Sequence, residues 1–291
     1  MTDLAFLGTG TMGLPMARHV IHAGGASLRV WNRSEQRAQP LADEGAKVCT
    51  EVVQAAEGAE LLITMLSDGD AVLDVAARAL PVLADNAIWI QMSTIGIDAT
   101  GRCAELADQA GVRLVDAPVL GTRDPAEQGK LIVLASGPEE VRETVTPVFD
   151  AVGSRTLWVG EAGAGSRLKV VANGWVVGVV GVLAEVITLA EGLDLDPQLF
   201  FDAIEGGPLD LPYAQVKGKP MMSRSFTDAS FRLALARKDG DLLLAAAEQA
   251  GLQLPIMGAI VARMRSVEAD GHGDEDMAAT YWASAPNNSG A

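Results

Sequence analysis

At 291 residues, 49% hydrophobic and 21% charged, the chain has the balance of a globular protein with one large domain or two ordinary ones. A formal charge of −16 and a pI near 4.5 repel polyphosphate backbones, so nucleic acid is not an expected partner. Cys49 and Cys103 are the only cysteines and belong to no CxxC pair or Cys/His cluster, so no metal site is expected, and isolated thiols fit a cytoplasmic protein.

The first apolar run stops at Gly8, too early for a signal peptide. Residues 3–8 read as a buried strand, 12–24 as an amphipathic helix and 27–31 as a second strand. Helical and extended patterns then alternate. Helices are expected at 35–44, 52–57, 71–83, 98–110 and 139–151. Strands are expected at 46–48, 61–66, 87–91, 113–117, 131–135 and 156–159. That alternation predicts an α/β fold, a Rossmann-like doubly wound parallel sheet.

The alternation ends near Glu161-Ala162-Gly163, which sets expected domains of 1–162 and 163–291. The second is expected to be all helical. A long helix over 166–191 leads it, followed by helices at 197–204, 229–250 and 255–269 and a polar, frayed tail over 284–291. The apolar stretch 170–190 contains Asn173 and Glu185 and has no basic flanks. It reads as a buried helix, not a membrane span. Its valines point several ways round the helix, so a partner subunit is expected to help cover it, in a homodimer or homotetramer.

Gly8-Thr9-Gly10-Thr11-Met12-Gly13 is a GxGxxG placed between a strand and a helix. In that context Gly8 permits the tight turn, Gly10 lets backbone approach a pyrophosphate, and Gly13 allows close helix–strand packing. The helix N-terminus offers free N–H groups to the phosphates. A plain turn is the alternative. Asn32, Arg33 and Ser34 follow the second strand where NAD enzymes carry a carboxylate for the ribose 2′-hydroxyl. An arginine and a hydroxyl suit a 2′-phosphate instead, which favours NADP(H) over NAD(H), unless Arg33 is an ordinary surface residue.

Ser93-Thr94 follow another strand, at a carboxyl-end crevice. Asp116-Ala117-Pro118-Val119-Leu120-Gly121-Thr122 turns sharply after a further strand, and Gly163–Asn173 opens the long helix. On these segments the chain resembles the β-hydroxyacid dehydrogenase family, which includes 3-hydroxyisobutyrate dehydrogenase and the glyoxylate/succinic semialdehyde reductases. Residues 6–13 with Met16 look like the family's cofactor motif, 116–121 with Gly129-Lys130-Leu131 its substrate motif, and 163–173 its catalytic motif. Phe231 with Lys238-Asp239 looks like its late cofactor-contacting motif. The segment 123–129 is nearest to the glyoxylate/succinic semialdehyde reductase branch.

By itself Lys169 is equally readable as a surface lysine. The resemblance implies that it is the catalytic residue, and a lysine in a dehydrated cleft can serve as general acid or base. Asn173, four residues on, shares its helix face and is expected to bind substrate or hold the lysine. The resemblance further implies that Thr94 and Lys238 approach the nicotinamide ribose, that Leu66 and Ser67 line the cofactor loop, and that Asp239 positions Lys238. Ser93, Leu120, Gly121 and Thr122 are implied on the substrate side, a small carboxylate or aldehyde. Leu120 stands where the family has a serine for the substrate carboxylate, and Ala172 where many members have asparagine. The cleft is expected between the domains, with Lys169 near the hinge. An imine reductase of the same fold, against which Lys169 argues, and a non-catalytic cofactor-binding module are the alternative readings.

Overall fold

The computed structural model describes residues 2–24 and 26–285; the last part of the expected frayed tail, 286–291, lies outside them. The chain divides into two compact units, one running through Val170 and the other starting at Val171, inside the long helix and not at its start.

In the first unit the chain runs β1 (Thr2–Leu7), α1 (Gly13–Ala23), β2 (Ala26–Trp31), β3 (Lys47–Cys49), α2 (Val52–Ala56), β4 (Leu61–Thr64), α3 (Gly69–Ala79), β5 (Ile88–Gln91), α4 (Gly96–Gln109) and β6 (Arg113–Asp116). These six strands form one sheet in the order β3-β2-β1-β4-β5-β6, every pairing parallel. That is the doubly wound order, and its direction reverses between β1 and β4, where ligands bind beyond the carboxyl ends. Both faces are covered. Along β1, Leu4 and Phe6 enter one core with Met16 and Val20 of α1, while Ala5 and Leu7 enter the other with Val75, Ala76 and Cys103. Strand period two explains the division, and a sheet buried on both faces explains the near-continuous apolar strands.

Then come β7 (Val119–Leu120), α5 (Arg123–Glu127), β8 (Leu131–Ala135), α6 (Arg142–Val152) and β9 (Gly153–Trp158). Here β7 pairs antiparallel and β9 parallel to β8, in a second, three-stranded sheet. A bridge between Asp116 and Ser136 ties the ends of β6 and β8. Neither β7 nor α5 is legible in the residue pattern, being two and five residues long. The helix expected at 35–44 is instead two 3-10 turns, Glu35–Arg37 and Gln39–Leu41. Pro40 has no N–H to continue an α-helix. The helices expected at 71–83 and 139–151 likewise end or begin in 3-10 turns, Leu80–Val82 and Glu139–Val141.

The long α7 (Ala164–Gly192) carries the chain from the first unit into the second. The second unit adds α8 (Gln198–Ile204), α9 (Pro212–Ser223), α10 (Leu233–Gln249) and α11 (Pro255–Val267), and a 3-10 segment Met277–Ala283 follows them. Its core gathers Val177, Val180, Leu183, Ala184 and Ile187 of α7 with Phe201, Met221, Leu233, Val261, Met264 and Tyr281. The sequence pattern misses α9 because Gly218 and Pro220 are poor helix formers. Gly218 is needed there: a Cβ would stand 2.3 Å from the Phe201 ring. By length and composition α7 could cross a membrane, yet one side of it forms this unit's core.

Candidate functional site

The glycine turn joins β1 to α1 at the sheet's reversal point. Gly8 has φ +107, and a Cβ there would stand 2.2 Å from the Met65 carbonyl oxygen beyond β4. Gly13 packs α1 directly on that turn, its hypothetical Cβ 1.9 Å from the Gly8 oxygen. A Cβ on Gly10 would meet nothing within 4 Å, so that side of its backbone faces open space. No side chain caps α1, and the Thr9 hydroxyl is buried with no hydrogen-bond partner. Uncapped N–H groups and an orphaned hydroxyl around a bare glycine fit a dinucleotide pyrophosphate.

Asn32 shapes the turn: its Oδ1 accepts the Thr9 N–H at 3.0 Å and its Nδ2 donates to the Ser34 carbonyl at 2.9 Å. Arg33 beside it is exposed. Ser34 bonds Gln36 at 3.1 Å. Arg37, on the next 3-10 turn and also exposed, was not singled out in the sequence; the turn geometry brings it to the same end of β2. Leu66 and Ser67 follow β4. Ser67 is exposed and donates to Asp68 at 2.6 Å. Ser93 is wholly buried, its hydroxyl accepting the Leu66 N–H at 2.8 Å and its backbone clasped by the Gln91 amide. Its hydroxyl thus holds the loop that follows β4. Thr94 next to it is half-buried.

Leu120 ends β7 half-buried, and Gly121 follows with φ +131, where a Cβ would stand 2.6 Å from Leu131. Thr122 precedes α5. The Arg123 guanidinium pairs with Asp124 at 3.2 Å.

Lys169 is buried on α7, and Asn173 lies one turn on, also buried. Asn173 Nδ2 donates to Asp239 Oδ2 of α10 at 2.8 Å. The other Asp239 oxygen faces Lys238 Nζ at 3.0 Å, an ion pair without an aligned hydrogen bond. One buried carboxylate therefore joins Asn173 to Lys238, a link that sequence spacing cannot show. An ionised carboxylate only accepts, so the amide must turn its NH2 to Asp239 and leave Oδ1 as an acceptor.

A cavity of about 520 Å³, lined by Leu80, Pro81, Asp85, Asn86, Leu106 and Val112 among others, lies at the amino ends of β5 and β6 and contains none of these residues. Among the described residues no cluster of His, Cys, Asp and Glu could hold a metal.

A Rossmann sheet with an uncapped, glycine-lined turn at its reversal point defines a dinucleotide-binding protein. Residues 3–160 match the model of the NAD binding domain of 6-phosphogluconate dehydrogenase. Residues 163–283 match that of the NAD-binding region of NADP-dependent 3-hydroxyisobutyrate dehydrogenase. Glyoxylate/succinic semialdehyde reductase 2, chloroplastic, of Arabidopsis thaliana is 30% identical over 97% of this chain and 79% of its own. The 3-hydroxyisobutyrate dehydrogenase of Pseudomonas aeruginosa is 30% identical over 95% of each. The structure of Mycobacterium tuberculosis 3-hydroxyisobutyrate dehydrogenase with L-serine superposes with a TM-score of 0.88 at 28% identity, over 97% of this chain and 98% of that one. The chain belongs to the β-hydroxyacid dehydrogenase family. It is an NAD(P)-dependent dehydrogenase or reductase acting on hydroxyl and aldehyde groups.

Proposed function

We propose that this enzyme interconverts a short 3-hydroxyacid and its semialdehyde, or reduces a related aldehyde acid, with NADP(H) as the preferred cofactor and Lys169 as general acid and base. The observation that carries this reading is the buried pair Lys169 and Asn173 on one turn of α7, with Asn173 anchored by Asp239. Burial of an amine disfavours its charged form and brings proton exchange toward neutral pH. In reduction Lys169 Nζ gives a proton to the carbonyl oxygen; in oxidation it takes one from the hydroxyl. Asn173 Oδ1 is the acceptor free to orient the substrate hydroxyl or the ammonium. Bound nicotinamide supplies or receives the hydride. Gly8, Thr9, Gly10, Thr11, Met12 and Gly13 hold the pyrophosphate, and Leu66, Ser67, Thr94 and Lys238 hold the nicotinamide half. Arg33, Ser34 and Arg37 serve the 2′-phosphate. With Leu120 in place of a hydroxyl, the substrate carboxylate falls to Thr122 and the backbone at Gly121, and a larger or less polar acid is accommodated. The more than half-exposed apolar residues of α7, Val171, Trp175, Val182 and Leu189, serve a homodimer or homotetramer.

The test is oxidation of NADPH and NADH with short aldehyde acids and with cyclic imines. NADPH with aldehyde acids should be fastest, and Lys169→Ala should lower kcat by about 100-fold or more while the protein still binds NADPH. Turnover confined to imines, or a near-normal rate in Lys169→Ala, would overturn the assignment.

A further inference from the structure

Asp116 ends β6 and is fully buried, yet it takes no part in the chemistry above. Its Oδ2 accepts the backbone N–H of Ser166 at 2.8 Å, and its Oδ1 accepts the Ser166 hydroxyl at 2.8 Å. Ser136 of the bridge beside β8 sits 3.3 Å from Oδ2 and accepts the N–H of Gly165 at 2.9 Å. Thr100 of α4 closes the cluster, its hydroxyl 3.0 Å from that of Ser166. The start of α7 is therefore held by side chains from β6, α4 and the end of β8, 29 to 66 residues away in sequence. The packing is tight, since a Cβ on Gly165 would stand 2.2 Å from the Leu134 carbonyl and 3.0 Å from that of Asp116.

Lys169 lies three residues beyond Ser166 and four beyond Gly165, so it stands on the clamped face one turn along. Asp116 also opens the segment that reaches Leu120, Gly121 and Thr122. Resting on the reading of Lys169 as the proton carrier, we propose that Asp116, with Ser136, Ser166 and Thr100, is a positioning cluster. It sets Lys169 against the substrate loop, both being tied to one buried carboxylate. A carboxylate at a helix N-terminus is favoured by the helix dipole, and the donors around it compensate part of its burial. Burial still pushes its pKa above the usual carboxylate range.

Proton transfer is sensitive to placement: a displacement of about 1 Å can cost 100-fold in rate. Ser166→Ala removes the hydroxyl contacts to Asp116 and Thr100 but keeps the backbone bond. Asp116→Asn removes the charge and one accepting oxygen. The readouts are NADPH Kd by fluorescence quenching, and kcat with succinic semialdehyde per NADPH-binding site, with NADPH and with NADPH deuterated at the transferred position. Counting binding sites removes misfolded protein from the rate. Ser166→Ala should lower kcat about tenfold, with NADPH Kd within about twofold and a larger isotope effect on kcat as the chemical step becomes limiting. Asp116→Asn should fall further in the same manner; if it does not fold, Ser166→Ala carries the test. Unchanged kcat per site in the folded variants, beside an inactive Lys169→Ala, would overturn the positioning role alone. A normal rate in Lys169→Ala would overturn both it and the reading beneath it.

Discussion

Arg33 and Asn32 occupy adjacent positions but act on different things. Asn32 is fastened to Thr9 and Ser34 by its own amide, so it fixes backbone. Arg33 is exposed at the end of β2, and under the function proposed above its guanidinium would pair with the 2′-phosphate as a fork. Arg33→Asp should raise the KM for NADPH at least tenfold, the scale of one lost charge-assisted bond with repulsion added. The KM for NADH should stay within about twofold. Steady-state kinetics with both cofactors decide the matter, and an equal effect on the two would sink the role. Cys103, behind the Asp116 cluster, contrasts with both. Burial and the neighbouring carboxylate push its thiol up to about 12, so it stays protonated and inert as a nucleophile.

At the scale of elements, the turn between β1 and α1 separates two glycine roles that look alike in sequence. Gly13→Ala drives a methyl into the Gly8 carbonyl, forcing α1 off the sheet. That clash should cost about 1–3 kcal/mol and lower Tm by several degrees in calorimetry even without cofactor. Gly10→Ala meets no protein atom within 4 Å. Its Tm without cofactor should stay within about 1 °C of the parent, while NADPH affinity falls at least tenfold because the methyl occupies the place of the pyrophosphate. A large loss of Tm in Gly10→Ala would show that the space before it is not a ligand cradle. Element type follows from residue spacing where runs are long, as in β1, β4, α4 and α7. It fails at 35–44, where Pro40 breaks the helix, and at β7 and α5, where the elements are too short to show a period.

At the scale of the whole molecule, α7 serves two surroundings. One side carries Val177, Val180, Leu183 and Ile187 into the core of the second unit, and the other exposes Val171, Trp175, Val182 and Leu189. An apolar stripe of that length is what the proposed homodimer or homotetramer would cover. Light scattering of the intact protein should give a multiple of the 30.3 kDa chain mass. Trp175→Glu combined with Val182→Glu should move it to the mass of one chain with NADPH binding kept. A native mass of one chain would refute the interface.

Residues near one another in sequence were readable directly: the glycine turn, the strand–helix alternation around it, and the helix face that Asn173 shares with Lys169, whose role only the family resemblance implied. Each depends on local geometry, a turn or a helical period, that spacing alone expresses. The rest required the fold. Asp116 reaches the start of α7, Asp239 joins Asn173 to Lys238, and Ser93 turns inward to hold Leu66. Those contacts depend on which strand ends and helix faces the packing brings together. No local period records them, and a buried carboxylate or hydroxyl shows its task only through the donors and acceptors that surround it.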